Sequence, residues 1–286
     1  MDTNQLLFGD NLELLAGIES KSVTLIYIDP PFNTGKVQSR AINKMKKSKN
    51  GTHKGYLDEM YEKTEIAKYS YPDSFDDFID FLIPRLKEAK RLLTDDGTLY
   101  LHLDYREVHY AKVVADAIFG RENFLNEIIW AYDYGAKSKQ KWPAKHDNIL
   151  VYVKDINKYY FNSSKVDREP YMAPSLVTAE KAKRGKLPTD VWWHTIVSPT
   201  GKEKTGYPTQ KPVAILRRII NASSEKGDLV LDFFAGSGTT GIVAAELGRS
   251  FICIDKNPEA IAIMKQRFDE AGVEYEIKEK YFAIPR

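Results

Sequence analysis

The chain has 286 residues, of which 43% are hydrophobic and 29% are charged, and its 42 basic and 40 acidic residues leave a net charge of +2. This composition is typical of a soluble globular protein with one large domain or two small ones. No apolar run approaches the roughly 18 residues of a membrane span, the polar N-terminus is unlike a signal peptide, and one cysteine cannot form an internal disulfide or a cysteine-based zinc site. We therefore expect an intracellular, cytoplasmic protein with no membrane partner.

The first strong element is the run SVTLIYIDPPF at residues 22–32, whose apolar start predicts a buried strand. Pro30 and Pro31 cannot donate to a sheet, and Pro30 biases the residue before it toward an extended conformation. The strand must therefore end with Asp29 at its tip and with Phe32 just beyond it. A carboxylate and an aromatic ring are thus held on a stiff backbone.

Residues 33–72 are polar, basic and weakly periodic, which predicts a mobile loop with at most a short helix. A helix is predicted from Ser74, which can cap it, because apolar residues recur at helical spacing as far as Leu93. DDGTLYLHLD predicts a turn and a strand, and VHYAKVVADAIFG predicts a helix closed by Gly120.

Two predicted strands, NEIIWAY and NILVYVK, flank a basic loop around residues 133–147. Residues 155–207 are irregular, with several prolines and a concentration of tryptophan and histidine. These histidines lack the spacing of metal ligands, so no metal is expected. KPVAILRRIINASS then predicts a helix.

The last unit alternates most clearly, as strand DLVLDFF, loop AGSGTTG, helix IVAAEL, strand SFICIDKN and helix PEAIAIMKQRFDEAG. This alternation predicts an α/β fold with a parallel sheet covered on both faces. Cys253, inside the apolar run FICID, is predicted to be a buried structural thiol. Gly236 and Gly238 allow a tight turn and close approach of the backbone to a ligand. The next strand ends at Asp255, placed to hydrogen-bond ribose hydroxyls, so a ligand containing adenosine is expected.

The glycine loop alone leaves a second interpretation open. Gly236, Gly238 and Gly241 also satisfy the G-x-G-x-x-G pattern, so an NAD-linked oxidoreductase has to be considered. The lysine of a phosphate-binding P-loop is absent, which argues against an NTPase.

Positive charge is clustered although the net charge is small. Three segments, 36–54, 137–145 and 181–186, are basic and contain no acid, and Tyr132, Tyr134 and Trp142 lie in or beside the second. Solvated surface loops would explain any one of them, but together they favour a phosphate-rich partner. The residues predicted to contact nucleic acid are Arg40, Lys44, Lys46, Lys47, Lys137, Lys139 and Lys141.

DPPF and DFFAGSGTT together resemble the amino-methylating DNA methyltransferases, which use S-adenosylmethionine to modify N6 of adenine or N4 of cytosine. The resemblance spans nearly the whole chain, from LLFGDNLELL through RLLTDDGTLYLHLD, HDNILVYVK and YPTQKPVAILRRII to GRSFICIDKNPEAI. The catalytic motif precedes the cofactor motif, an order that resembles the circularly permuted beta group, and DPPFNTG is similar to the modification subunits of type III restriction systems. The resemblance implies a Rossmann-like methyltransferase fold with a mixed, mostly parallel sheet.

The resemblance also implies roles for individual residues. Asp29 and the Pro30 carbonyl would accept hydrogen bonds from the target amino group, Pro31 would help to fix them, and Phe32 would stack on a base swung out of the duplex. The S-adenosylmethionine pocket would comprise Asp10, Asp29, Lys211, Asp232, Phe234, Gly236, Gly238, Thr239 and Asp255. Within it Lys211 would meet the methionine carboxylate, Asp232 would orient the glycine loop or the methionine amine, and Asp10 would lie near the adenine. Phe32 stands where tyrosine is common and Asp255 where glutamate is common, and both keep the required chemistry.

The expected activity is methylation of adenine N6, and N4-cytosine methylation is the nearest alternative. DPPF favours adenine because cytosine enzymes more often carry serine in place of the aspartate. C5-cytosine methylation needs a nucleophilic cysteine in a Pro-Cys pair, which Cys253 is not. RNA and protein methyltransferases usually place the glycine loop first. An oxidoreductase would leave DPPF unexplained, and a non-catalytic DNA-binding module would leave the motif and the pocket together unexplained.

We predict a catalytic, cofactor-binding domain at residues 1–130 and 207–286 and an inserted target-recognition region at 131–206, with 34–72 as an additional DNA-contacting loop. The expected partner is double-stranded DNA in a prokaryotic cytoplasm. The resemblance also suggests a homodimer and a cognate restriction endonuclease as partners to be tested.

Overall fold

A computed structural model describes residues 4–32, 36–47, 53–54, 60–73, 78–135, 137–198, 201 and 203–279. Ser74, the predicted helix cap, lies outside the described residues. None of the helices within these ranges is long and apolar enough to cross a membrane.

The described strands form two sheets. In chain order the strands are β1 (Gln5–Phe8), β2 (Val23–Ile28), β3 (Lys36–Lys47), β4 (His53–Lys54), β5 (Met60–Asp73), β6 (Leu93–Leu103), β7 (Phe124–Ala131), β8 (His146–Val153), β9 (Val191–Trp193), β10 (Leu229–Asp232), β11 (Ser250–Asp255) and β12 (Glu276–Glu279). The main sheet has the order β12-β1-β11-β10-β2-β6-β8-β7-β9. Every pairing from β12 to β6 is parallel, β8 is antiparallel to both neighbours, and β9 is parallel to β7.

Helices cover both faces of this sheet. The helices are α1 (Asn11–Leu15), α2 (Phe78–Leu92), α3 (Val108–Phe119), α4 (Ala179–Arg184), α5 (Val213–Ser223), α6 (Thr239–Glu246) and α7 (Pro258–Glu270). All of them except α4, which has no buried residue, pack on the sheet. Alternate residues of β2 point to opposite faces: Leu25 and Tyr27 join the core under α5, α6 and α7, and Ile26 and Ile28 join the core under α1, α2 and α3. The predicted mixed, mostly parallel α/β sheet is confirmed.

The prediction of a mobile loop at residues 33–72 was wrong for the part of it that the structure describes. β3 and β5 pair in antiparallel register from Lys36 opposite Asp73 to Lys47 opposite Tyr61, and β4 adds a third short strand. Backbone hydrogen bonds between paired strands do not depend on alternation of apolar and polar residues. The weak periodicity of this segment therefore gave no indication that β3 and β5 pair as a long hairpin.

Most other predicted elements occur near their expected positions. α3 is closed by Gly120, the predicted strands on either side of the basic loop are β7 and β8, and the final alternating unit is β10, α6, β11 and α7. The predicted turn at Asp95 and Asp96 instead lies within β6, beside an irregularity in its pairing with β2. Within 131–206, β8 and β9 join the main sheet, while the recognition role of this region stays a prediction.

Candidate active site

Four acidic residues lie at the carboxyl ends of four neighbouring parallel strands. Asp10 follows β1, Asp255 ends β11, Asp232 ends β10 and Asp29 follows β2, and these strands are adjacent in the sheet. All four carboxylates line one cavity of about 290 Å³. The carboxyl edge of a parallel sheet is where α/β proteins bind ligands, so the topology brings these groups to one site.

The glycine loop between β10 and α6 forms one wall of this first cavity. Gly236 and Gly238 have φ of 51° and 73°, in the left-handed region that favours glycine. A Cβ on Gly236 would lie 3.0 Å from the ring of Tyr207, and one on Gly238 would lie 2.6 Å from Met264. The Gly236 amide donates to Asp255 Oδ2 at 2.8 Å, which fixes the loop against the end of β11.

Asp232 also holds the glycine loop. Its Oδ1 accepts from the Phe234 amide at 3.0 Å, and its Oδ2 accepts from the Thr240 hydroxyl at 2.6 Å. Burial raises the pKa of Asp232 to about 7, opposed by these two hydrogen bonds and reinforced by the charges of Asp29 and Asp255. Its charge is therefore sensitive to pH near neutrality and to any cation placed in the cavity.

The opposite wall of the first cavity is built on α1 and α2. Asp10 caps α1 by accepting from the Leu12 amide at 2.9 Å, and an Arg85 nitrogen lies 3.5 Å from the same carboxylate. Arg85 is buried, donates to Asn11 Oδ1 at 2.7 Å, and lies 3.7 Å from the centroid of the Phe81 ring. Burial lowers the pKa of Arg85, and Asp10 opposes that shift.

A second cavity, of about 410 Å³, meets the first one at Asp29. Both cavities are lined by Asp29, Pro31, Tyr207, Thr209 and Lys211. The remaining lining of the second cavity combines aromatic rings with a few charged groups, and it includes Pro30, Phe32, Asp104, Arg106, Trp130, Tyr132, Tyr134, Asp147 and Gln210. A group bound in one cavity would therefore face a group bound in the other across the Asp29 carboxylate.

The two oxygens of Asp29 differ in their partners. Oδ2 forms an ion pair with Lys211, whose ammonium lies 5.1 Å from the centroid of the Phe32 ring. Oδ1 is buried and accepts no hydrogen bond from any residue that the structure describes. A buried carboxylate oxygen without a donor costs free energy, so this atom is prepared to accept from a bound ligand.

A buried chain of hydrogen bonds lies beneath the second cavity. The Tyr27 hydroxyl is 2.8 Å from His102 Nδ1, His102 Nε2 is 3.2 Å from Asp147 Oδ2, and the Tyr132 hydroxyl donates to Asp147 Oδ1 at 3.0 Å. With the ring proton on Nε2, His102 accepts from Tyr27 and donates to Asp147. These hydrogen bonds connect β2, β6 and β8 with Tyr132, the residue after β7.

The electrostatics of these hydrogen-bonded groups favour a protonated Tyr27 and an ionised Asp147. Burial and the nearby Asp29 raise the pKa of the Tyr27 hydroxyl, which therefore remains a donor. Burial also raises the pKa of Asp147, but hydrogen bonds from His102 and Tyr132 and the charge of Lys211 outweigh it and leave that pKa below its ordinary value. Asp147 is thus an ionised acceptor that holds Tyr132 at the rim of the cavity.

Aromatic contacts hold the walls of the second cavity. The His102 ring centroid lies 6.0 Å from that of Phe32 and 5.5 Å from that of Trp130. Trp130 in turn contacts Tyr132 edge-on at 5.3 Å. The result is a pocket with flat apolar faces and polar groups at its floor and edges, which suits a planar heteroaromatic ligand.

The structure brings together most of the residues singled out from the sequence. Asp10, Asp29, Lys211, Asp232, Phe234, Gly236, Thr239 and Asp255 line the first cavity, and Asp29, Pro30, Pro31 and Phe32 line the second. Gly238 instead lies against Met264, and it shapes the loop from behind. Lys211 is paired with Asp29, and its predicted contact with a carboxylate stays a prediction.

The predicted nucleic-acid contacts lie in two places. Arg40, Lys44, Lys46 and Lys47 are on β3, and Lys137, Lys139 and Lys141 are exposed in the loop between β7 and β8. Their role stays a prediction. Cys253 is buried in β11, as expected for a structural thiol.

Several site residues were missed by reasoning from the sequence. They are Asn11, Tyr27, Phe81, Arg85, His102, Tyr132, Asp147, Tyr207 and Thr209. His102 and Asp147 lie inside LHLD and HDNILVY, two of the stretches that carried the resemblance. A polar residue within an otherwise apolar buried strand was the signal that could have found them.

Comparisons with known proteins identify the family of the chain. The model of the N6/N4 methyltransferase family, described as DNA methylase, matches residues 23–266. The chain is 32% identical over 279 residues to the DNA adenine methyltransferase YhdJ of Escherichia coli (strain K12), covering 95% of this chain and 84% of that one. It is 31% identical over 265 residues to the type II methyltransferase M.HpaI of Haemophilus parainfluenzae, covering 93% of this chain and 74% of that one.

Solved structures share the fold at lower identity. TTHA0409 of Thermus thermophilus, complexed with S-adenosyl-L-methionine, has a TM-score of 0.61 and 22% identity, covering 98% of this chain and 99% of that chain. The cytosine-N4-specific PvuII DNA methyltransferase has a TM-score of 0.64 and 19% identity, covering 94% of this chain and 87% of that chain.

Proposed function

The chain belongs to the N6/N4 DNA methylase family, and from that premise we propose that it transfers a methyl group from S-adenosylmethionine to N6 of an adenine swung out of double-stranded DNA. The observation that carries the proposal is that two cavities meet at Asp29. The buried Oδ1 of this residue accepts no hydrogen bond from the described residues. The relative YhdJ is named as a DNA adenine methyltransferase, which supports adenine as the base.

The first cavity fits S-adenosylmethionine, which when bound supplies an electrophilic methyl group on a sulfonium. Asp255, at the end of β11, would accept from ribose hydroxyls, and Phe234 would contact the adenine ring. Asp232 would face the cationic part of the methionine, where its charge is favoured. Lys211 would exchange part of its pairing with Asp29 for the methionine carboxylate.

The second cavity fits a flipped base. An exocyclic amine is a poor nucleophile because its lone pair is delocalised into the ring. Asp29 Oδ1 and the Pro30 carbonyl would accept its two hydrogens, and their fixed positions favour the tetrahedral nitrogen that attacks the methyl carbon. S-adenosylmethionine would supply the methyl carbon for the new N–C bond, and its carbon–sulfur bond would break with the electron pair left on sulfur. The surplus proton on nitrogen leaves by way of Asp29 Oδ1 to water.

The aromatic walls would hold that base in line. Phe32 would stack on one face of it, and Tyr132, fixed by Asp147, would limit its movement at the rim. Because Lys211 would keep part of its pairing with Oδ2, the amine would find Oδ1 as the available carboxylate oxygen, and this would favour one orientation of the base.

The finer classification belongs to the same proposal. The DPPF motif precedes the glycine loop along the chain, which supports assignment to the permuted beta group with similarity to type III modification subunits. A type II relative such as M.HpaI supports a restriction–modification setting in a bacterial cytoplasm, with a cognate endonuclease and a second copy of the chain as partners to be tested.

The test is transfer of labelled methyl from S-adenosylmethionine to unmethylated DNA, followed by nucleoside analysis. We expect N6-methyladenine, and none with the Asp29→Ala variant. N4-methylcytosine would retain the mechanism and overturn the choice of base. Transfer to RNA or protein, with none to DNA, would overturn the proposal.

A further inference from the structure

Trp142 is a highly exposed tryptophan in the loop that joins β7 to β8, and other residues of this loop line the second cavity. Its side chain is 94% exposed, although burial of a large aromatic ring normally stabilises a protein. The loop around it carries Lys137, Lys139, Lys141 and Lys145 and no acid between residues 137 and 145. An apolar ring is therefore presented among positive charges, a combination that suits nucleic acid.

The loop is anchored at the rim of the second cavity. The Tyr132 amide donates to the Lys145 carbonyl at 2.9 Å and closes the base of the loop. Tyr134 and Gly135 line the cavity from one arm of the loop, and Ala144 lines it from the other. Trp142 is two residues from Ala144, so its Cα lies within roughly 7 Å of that lining residue.

The backbone near Trp142 is restrained. The Ser138 hydroxyl accepts from the amides of Gln140 and Lys141, both at 3.2 Å, just before the tryptophan. Pro143 follows it and biases Trp142 toward an extended conformation. A ring held on such a backbone loses less conformational entropy on binding than one on a free loop.

We propose that Trp142 is a wedge, which enters the base stack of the duplex at the position that the flipped base leaves. The inference rests on the proposed function. A base that moves into the second cavity leaves a gap in the duplex beside the cavity rim, and an aromatic ring that fills the gap recovers stacking lost on extrusion. Lys137, Lys139 and Lys141 would contact the flanking phosphates.

The other exposed aromatic side chain of this loop, Tyr134, is 55% exposed and lines the second cavity itself, whereas other highly exposed apolar side chains lie elsewhere. Met172 is 97% exposed and Leu176 is 84% exposed. Residues 148–195, which the structure describes throughout, contribute nothing to the lining of the second cavity. Tyr110 is 66% exposed on α3 and serves as a matched control, because it is an exposed aromatic residue outside both cavity linings and outside the predicted recognition region.

The experiment uses the whole chain, S-adenosylmethionine and duplexes that contain the methylated sequence mapped from cellular DNA. One duplex is fully paired, a second has a mismatch opposite the target, and a third carries 2-aminopurine at the target position to report extrusion by fluorescence. We expect Trp142→Ala to reduce methyl transfer on the paired duplex about 10- to 100-fold, as the loss of one stacked base predicts, and to reduce the 2-aminopurine signal. Trp142→Phe should keep most of both, and Tyr110→Ala should leave both unchanged.

The mismatch separates a wedge from an ordinary DNA contact. A mismatch lowers the cost of extrusion, so the defect of Trp142→Ala should shrink several-fold on that duplex. Lys139→Ala should lose the same factor on both duplexes. If Trp142→Ala lost methyl transfer by the same factor on the paired and mismatched duplexes, or lost none on either, the wedge would be overturned. Transfer by the wild-type chain in the same assay would still uphold the proposed function. A wild-type chain that methylates no DNA would overturn both, and unchanged S-adenosylmethionine binding by Trp142→Ala would show that the variant is folded.

Discussion

The two cavities that meet at Asp29 are built in different ways. The first draws much of its lining from one continuous stretch, Asp232 to Asn257, which runs from the last residue of β10 through the glycine loop, α6 and β11. The second is assembled from the ends of β2, β6, β7 and β8 and from residues 196–197, 204 and 207–211, which come together only in the folded protein. A cavity made by one local unit leaves a motif in the sequence, whereas a cavity made by long-range pairing does not. The same division predicts that substitutions can impair one ligand and spare the other.

The largest expected effect is at Asp29. Both cavities share this residue, so its substitution should not affect one cavity alone. Asp29→Ala removes the buried acceptor and leaves Lys211 without its partner, and we expect methyl transfer to fall about a thousandfold or more. DNA affinity should change little, because duplex binding depends mainly on phosphate contacts. Single-turnover transfer and equilibrium DNA binding measure the two quantities.

The conservative variant sharpens this test. Asp29→Asn keeps one carbonyl acceptor but loses the charge that pairs with Lys211, so its activity should also be low. Activity near wild type in Asp29→Ala would remove Asp29 from the mechanism, even if the nucleoside product were N6-methyladenine.

The next largest effect concerns the second cavity alone. Asp147→Asn removes the charge that organises His102 and Tyr132, and we expect kcat/KM for DNA to fall about 10- to 100-fold through misplacement of the base. S-adenosylmethionine affinity should stay within about twofold, measured by calorimetry, because Asp147 does not line the first cavity.

A remote tyrosine–aspartate pair provides the control. Tyr152 donates to Asp116 Oδ1 at 2.7 Å beside α3, so Asp116→Asn removes a similar hydrogen bond away from both cavities. Asp116→Asn should lower thermal stability and leave kcat/KM for DNA almost unchanged. If both variants lost activity in proportion to stability, the network would be structural and would not position the base.

The first cavity should in turn show a pH dependence of its own. Burial raises the pKa of Asp232 to about 7, so in the free protein it is largely protonated below that pH. A bound cation favours the ionised form, and binding then displaces a proton. S-adenosylmethionine affinity should therefore rise with pH by up to about tenfold per unit below 7 and level off above it. Calorimetry across pH 5.5–8.5 tests this, with the range chosen to span about 1.5 units on either side of that pKa.

Thr240 allows the origin of the pH dependence to be checked. Its hydroxyl donates to Asp232 and lowers the pKa of that carboxyl, so Thr240→Val should move the inflection to higher pH. An affinity that is flat across the range would mean that Asp232 does not face a cation. It would then hold the glycine loop without contacting the ligand.

The predictions from the sequence succeeded where a local rule applied. Pro30 and Pro31 end β2 and place Asp29 at its tip, and Gly236 and Gly238 require positive φ at the turn into α6. Tyr27 and His102 are 75 residues apart and His102 and Asp147 are 45 apart, so their contacts depend on which strands pair and in which register. The alternation within one strand indicates which side chains share a face, but it does not identify the distant strand with which that strand pairs.

The same dependence on long-range pairing explains what the sequence did not reveal about the β3–β5 hairpin and the partner of Lys211. The hairpin of β3 and β5 was taken for a loop because its pairing needs no alternating pattern. The ion pair between Lys211 and Asp29 was not predicted, because a family motif cannot show which distant strand end Lys211 meets in the folded chain, and its predicted contact with the methionine carboxylate stays a prediction. Chemistry carried by one motif is therefore easier to predict than chemistry shared between two.

The smallest expected effects lie outside both cavities, on the loop that frames the second. Lys137, Lys139 and Lys141 are exposed, and none of the three forms an ion pair with a described residue. If each neutralises one phosphate, its substitution by alanine should weaken DNA binding several-fold and reduce the slope of log K against log salt by about 0.9. Lys21→Ala is the matched control: this lysine is also exposed but precedes β2 at the opposite end of the sheet, where it pairs with Asp95 at 2.9 Å. An unchanged slope in all three loop variants would mean that this basic segment only faces solvent, and the second cavity would then receive its base from DNA bound along another surface.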